Sequence, residues 1–258
     1  MSQTTSTPQV ALVTGANTGI GEAVAKSLAA DHGYHVIIGS RNLAAGQAVA
    51  DTLTARGLKA SAVHLDLADE SSIQAAAESI AAAHNGRLDV LVNNAGVLLG
   101  TGPAAAGLSE RQRFERTFVP NLFGQVGVTE AMWPLLRKAP EAGGSSSSVP
   151  RVVFVSSRMG SLALAKDPTT LFYHKDYRSY DCSKAALNML ALNYARMMED
   201  VGGLVNVVCP GLVKTKLTGY IEGGDTVERG AERIVQMATL AKGGPTKTFS
   251  DRNGEIDW

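Results

Sequence analysis

Short runs of β-branched and aliphatic residues alternate along this chain with longer stretches in which apolar positions recur every three or four residues. Val10 to Val13 reads as a strand, and Ile20, Val24 and Leu28 then fall on one helix face. His35 to Ile38 and Ala60 to Leu65 read as strands, with a helix from Leu43 to Leu53 between them. Ser71 to His84 is Ala-rich, with Ile73 and Ile80 two turns apart, and predicts a helix. Asp89 to Val92 predicts a fourth strand and Asn121 to Leu136 a long helix, followed by a Gly/Ser loop from Gly143 to Ser148. Arg151 to Val155 and Leu204 to Val208 complete the strands, with a helix from Tyr180 to Met198 between them. The strands are apolar throughout rather than alternating, as strands covered on both faces are. Repeated β–α units of this length predict an α/β fold: one doubly wound parallel sheet with helices on both faces.

The chain has 258 residues, 45% of them hydrophobic, which suits one large core without a second domain. Only 19% are charged and the formal net charge is zero, so no electrostatic footprint for nucleic acid or an anionic membrane is present. Two cysteines, Cys182 and Cys209, make no disulfide framework and point to a reducing compartment. Residues 1–9 read as a flexible tail without the basic and apolar regions of a signal peptide, and residues 10–258 as the single domain. No apolar segment is long enough to span a bilayer. A cytoplasmic protein is expected.

Two motifs carry chemistry. Gly15, Gly19 and Gly21 lie between the first strand and the first helix, with Asn17, Thr18 and Ile20 among them. Glycines there let backbone N–H groups approach a pyrophosphate, which a helix N-terminus also favours. The second strand ends in Gly39-Ser40-Arg41-Asn42, without the acidic residue that holds a ribose 2′-OH. Arg41 offers a planar cation suited to a 2′-phosphate, which favours NADP over NAD. Downstream, Tyr180 and Lys184 stand four residues apart, so a helix places phenol and ammonium on one face.

With these motifs the chain resembles the short-chain dehydrogenase/reductase family, from Val10 onward, and within it the carbonyl-reductase branch through Gly39-Ser40-Arg41 and Phe249-Ser250-Asp251-Arg252-Asn253-Gly254. Thr14 to Gly21, Asn93-Asn94-Ala95-Gly96, Ser156-Ser157, Tyr180/Lys184 and Pro210-Gly211-Leu212-Val213-Lys214-Thr215 fall in the family's order. The resemblance implies a Rossmann-type sheet of about seven strands. It implies a catalytic tetrad of Asn121, Ser157, Tyr180 and Lys184, with Ser156 open as the alternative hydroxyl. It assigns NADP(H) to Gly15, Asn17, Thr18, Gly19, Ile20, Gly21, Arg41, Leu65, Asp66, Asn93, Ala95, Gly96, Tyr180, Lys184, Pro210, Gly211, Val213 and Thr215. Two departures stand out. Tyr180 follows Ser157 at a longer interval than is usual in the family, and Pro120 precedes Asn121 where another residue is normal. The insertion leaves both a homo-oligomer and a monomer open.

The chemistry expected is reduction of a ketone or aldehyde to an alcohol, of the kind found in secondary metabolism. Tyr180 would act as general acid, its pKa lowered by Lys184 and the positive nicotinamide. Ser157 would hold the substrate oxygen, and Asn121 a water leading from Lys184 to solvent. Walls from Val97 to Gly107, Arg158 to Arg178 and Leu217 to Val235 favour a mid-sized apolar substrate, with residues 212–235 as a mobile lid. Arg158 is a further candidate for substrate contact. Cys182 reads as a packed thiol, and the five histidines form no metal-ligand grouping. The rival readings are a cyclase or isomerase that keeps the cofactor structurally, and an NADP-binding sensor.

Overall fold

Alternate residues of the first six strands enter opposite layers of the core. In the computed structural model, which describes residues 8–99, 105–139 and 149–258, the strands are β1 (Val10–Thr14), β2 (His35–Ser40), β3 (Ala60–His64), β4 (Val90–Asn93), β5 (Arg151–Val155), β6 (Leu204–Val208), β7 (Phe249–Asp251) and β8 (Gly254–Glu255). The sheet order is β3-β2-β1-β4-β5-β6-β7-β8, parallel except for the β7–β8 hairpin. The expected loop at 143–148, residues 1–7 of the tail and residues 100–104 of the first substrate wall lie outside the described residues.

Leu12, Leu91, Phe154 and Val207 join one apolar cluster with the helices α3 (Glu70–Ala83), α5 (Gly124–Arg137) and α6 (Arg178–Met197). Val13, Val92, Val153 and Val208 join the other, with α1 (Gly19–Ala30), α2 (Leu43–Thr54) and α7 (Val227–Ala238). This two-sided burial explains why the strands read as continuous apolar runs. Asp89, placed at the start of the fourth strand by its neighbours, is instead a fully buried carboxylate below it. It accepts from Arg87 Nη2 at 2.7 Å and from Val10 N at 2.7 Å, which ties the β1 and β4 starts together.

Three elements differ from the sequence reading. A helix α4 (Glu110–Phe118) precedes the expected one, and residues Val119–Phe123 form a π-helical turn between α4 and α5. Pro120, which has no N–H to offer the α-helical ladder, sits in that turn, and Asn121 is fully buried within it. The β7–β8 hairpin extends the sheet to eight strands. The stretch 212–235 also divides: Val227 onward is the amphipathic helix α7, whose Ala231, Ile234 and Val235 are buried. The preceding loop is pinned at its ends by Lys214 N–Asp225 O (2.9 Å) and Asp225 N–Leu212 O (2.8 Å). No helix among the described residues is long and apolar enough to cross a membrane.

Candidate active site

The sheet order reverses between β1 and β4, and a crevice outside the strand carboxyl ends at such a point is where doubly wound sheets bind ligands. The glycine turn lies there. Gly15 and Gly19 have φ of +64° and +62°, a region that side chains other than glycine rarely adopt. Gly21 needs its missing Cβ for another reason. A methyl there would lie 2.5 Å from Asn94 Nδ2 and 2.6 Å from Gly15 O. Asn94 holds the turn in place, donating to Thr14 O at 2.8 Å, while Thr14 Oγ1 accepts from the amides of Asn94 (3.0 Å) and Ala95 (2.9 Å). The N-cap residue Thr18 makes no side-chain cap bond, so the first-turn amides of α1 have no side-chain acceptor there. This is the arrangement that a pyrophosphate would complete.

At the end of β2, Arg41 is exposed and forms no ion pair among the described residues. Asp66 is half-buried and turned in part to its own loop, accepting from Ala68 N at 3.0 Å. Leu65 and Val213, expected at the cofactor, are 2% and 1% exposed. Asn93 ends β4. The residue is fully buried, and its amide donates to Thr129 Oγ1 at 3.0 Å, because the strand alternation turns it toward α5. Ala95, Gly96, Pro210 and Thr215 keep partly open positions, and Gly211 is exposed.

The tetrad residues converge beside this crevice. Lys184 Nζ donates to Val155 O at 2.9 Å and lies 5.6 Å from the Tyr180 ring centroid. The Ser157 hydroxyl is within hydrogen-bonding reach of the Tyr180 phenol. Ser156 is turned away and donates to Asn188 Oδ1 at 2.6 Å, so Ser157 presents the hydroxyl to the site. A Cβ on Gly96 would lie 3.7 Å from Lys184 Nζ and 3.1 Å from Asn121 Oδ1, which places the Asn-Asn-Ala-Gly segment against the ammonium. Asn121 is engaged at both ends of its amide: Nδ2 donates to Val97 O (2.9 Å) and Ser183 Oγ (3.1 Å), and Oδ1 accepts from Val97 N (2.8 Å). It braces the loop after β4 against α6.

The electrostatics of the site are set by burial. Burial pushes the Tyr180 phenol above its ordinary value, with Cys209 adding to the rise and the Ser157 hydrogen bond opposing it. Burial likewise lowers the Lys184 ammonium to about 8. Both groups sit out of water, so desolvation favours the uncharged form of each. Cys182, two residues from Tyr180 on α6, falls on the opposite face and is exposed rather than packed. Arg158 is paired with Asp251. Neither that pairing nor the brace made by Asn94 has a local sequence signal, since the partners are brought together by the sheet order.

The chain matches the short chain dehydrogenase family over residues 9–225. It is 32% identical over 246 residues to short-chain dehydrogenase anuI of Penicillium roqueforti, covering 94% of this chain and 92% of that protein. It is 28% identical to carbonyl reductase (NADPH) 1 of Bos taurus, covering 96% and 98%. Among solved structures it is similar to NADPH-bound carbonyl reductase from chicken fatty liver, with a TM-score of 0.81, 27% identity and coverage of 97% and 99%. Salutaridine reductase from Papaver somniferum gives a TM-score of 0.74 at 28% identity, covering 93% and 99%.

Proposed function

As the chain belongs to the short-chain dehydrogenase family, in its carbonyl-reductase-like branch, we propose that it is an NADPH-dependent reductase of a ketone or aldehyde on a mid-sized apolar substrate. The observation that carries this reading is the convergence of Ser157, Tyr180 and Lys184 on the glycine-turn crevice, with Gly96 against the Lys184 ammonium. The uncapped first turn of α1 and Arg41, without an ion pair among the described residues, fit the pyrophosphate and 2′-phosphate of NADPH. When bound, NADPH supplies the hydride for the carbonyl carbon.

The chain's own residues supply the rest. Negative charge grows on the carbonyl oxygen, and a donor must meet it. Burial keeps the Tyr180 phenol protonated at neutral pH, the state a general acid needs for reduction. Ser157 orients the carbonyl oxygen against that phenol. Lys184 remains cationic below about 8 and favours the phenolate left behind. Asn121 holds the β4 loop and α6 in register beneath the ammonium. Leu162 and Leu171 in the loop after β5, and Leu212, Leu217 and Tyr220 in the loop after β6, are exposed. Exposed apolar side chains in these two loops suit an apolar substrate, with the 212–226 loop as its cover and secondary metabolism as its setting.

The test is NADPH oxidation against a panel of ketones and aldehydes, with NADPH and NADH affinities from fluorescence titration. Turnover on apolar carbonyls with NADPH preferred supports the reading. Cofactor binding without redox turnover on any carbonyl would favour a non-redox enzyme or a sensor.

A further inference from the structure

We propose that Arg158 and Asp251 form a clamp that positions the Ser157 hydroxyl from the far edge of the sheet, an inference that rests on the reductase reading. Ser157 follows β5 and caps the single 3₁₀ turn Arg158–Gly160, its Oγ accepting from Met159 N at 3.2 Å. That turn is held on two sides. On the α6 side, Gly160 packs so closely that a Cβ would lie 2.6 Å from the Lys184 carbonyl carbon, and Asn188 Nδ2 donates to Gly160 O at 3.2 Å. On the other side, the Arg158 guanidinium reaches past the end of β6, where it lies against Cys209, to an ion pair with Asp251 at the end of β7.

The second side is itself rigid. The Asp251 side chain is 8% exposed, and its other oxygen accepts from Asn253 N at 2.8 Å in the β7–β8 turn. The segment beyond β8 grips the same loop again. Ser161 Oγ donates to Asp257 O at 2.5 Å, Ala163 N to Trp258 O at 3.0 Å, and the Trp258 ring packs on Phe249 at 5.4 Å between centroids. The insertion between Ser157 and Tyr180 therefore starts from a braced base. Arg158 is bound to Asp251 and acts through Ser157, so it is a positioning residue.

The experiment compares Arg158→Gln, Asp251→Asn, the double variant and Arg158→Lys. Loss of positioning at a reacting hydroxyl is expected to lower kcat on the order of tenfold to hundredfold. NADPH affinity and the carbonyl KM should stay near wild type, and Arg158→Lys should restore part of the loss. The double variant should be no slower than the worse single variant, because both remove one clamp. Hydrogen exchange at the Met159 amide, read without substrate, should quicken in Asp251→Asn. That isosteric variant carries the test if Arg158→Gln, which strands a buried carboxylate, does not fold. Unchanged kcat and Met159 exchange, additive losses in the double variant, or a rise confined to the carbonyl KM would each overturn the clamp. If the wild type reduces no carbonyl, the reductase reading fails, and Met159 exchange still decides the clamp.

Discussion

The proposed reacting residues are defined as much by burial as by identity. Tyr180 is 8% exposed and Lys184 4%, so their proton affinities follow from desolvation. Tyr180→Phe keeps the packing and removes the proton. It is expected to abolish carbonyl reduction while leaving NADPH affinity close to wild type, and stopped-flow hydride transfer with fluorescence titration checks both. The pH profile of kcat/KM, which reports the free enzyme, should fall as pH rises through about 8, where Lys184 loses its charge. Tyr180, held above its ordinary value, should produce no limb below that point. Lys184→Met sharpens the contrast between stability and chemistry. The drop from 10.5 to about 8 means burial of the ammonium costs on the order of 3 kcal/mol. Removing it strands the Val155 carbonyl, a loss of about 1–3 kcal/mol. The two nearly cancel, so the variant should melt near the wild-type temperature and have no reductase activity.

At the scale of elements, the glycine turn shows why its scaffold is intolerant. Gly21→Ala would set a methyl against Gly15 O, a backbone atom that cannot swing aside, as well as against Asn94 Nδ2. The expected loss is about 1–3 kcal/mol, seen as a lower melting temperature together with weakened NADPH binding. Adding Asn94→Ala should not restore either, because the Gly15 clash stays and the bond to Thr14 O is lost as well. The same elements show what was legible in the sequence. The first six strands and the helices flanking them follow apolar periodicity, because each buries a face set by its own period. Helix α4 escapes that rule. Its sequence ERQRFERTF buries only Thr117, and it stands on a capping box between Ser109 and Gln112 with the Arg111–Glu115 pair. Strand β7 is three residues long and exists by pairing with Val207 and Val208, a long-range contact that no local pattern encodes. Likewise Tyr180, Lys184 and the glycines were readable as motifs. The burial of Asn93, the engagement of Asn121 and the choice of Ser157 over Ser156 depend on which way each strand end and the π turn face.

For the molecule as a whole, acid stability turns on a pair of partly buried histidines and on a carboxylate beside Tyr180. His35 and His84 meet edge to face, with centroids 4.6 Å apart, across the turn below β2 and the end of α3. Burial lowers both, and His84 and then Lys59 lower His35 further. A histidine whose folded pKa is depressed contributes stability that is complete above its unfolded value, about 6.5, and is lost as pH falls through the folded one. Asp181 acts in the opposite sense. Burial, with Asp176 nearby, raises it to about 6, and its buried Oδ1 has no hydrogen-bond partner among the described residues. Its folded form binds a proton more readily than the unfolded chain, so it costs stability above about 6 and relieves that cost as pH falls toward 3.8. Just below neutrality the histidine loss therefore runs unopposed, and below about 6 protonation of Asp181 offsets part of it. Melting temperatures measured from pH 7.5 to 5 should fall first between 7 and 6. Asp181→Asn should melt higher than wild type at pH 7 and then lose stability more steeply on acidification, since the offset has been removed. His84→Gln should flatten the upper part of the curve. A wild-type curve level from pH 7 to 5, unchanged in both variants, would mean that neither the histidine pair nor Asp181 is coupled to folding.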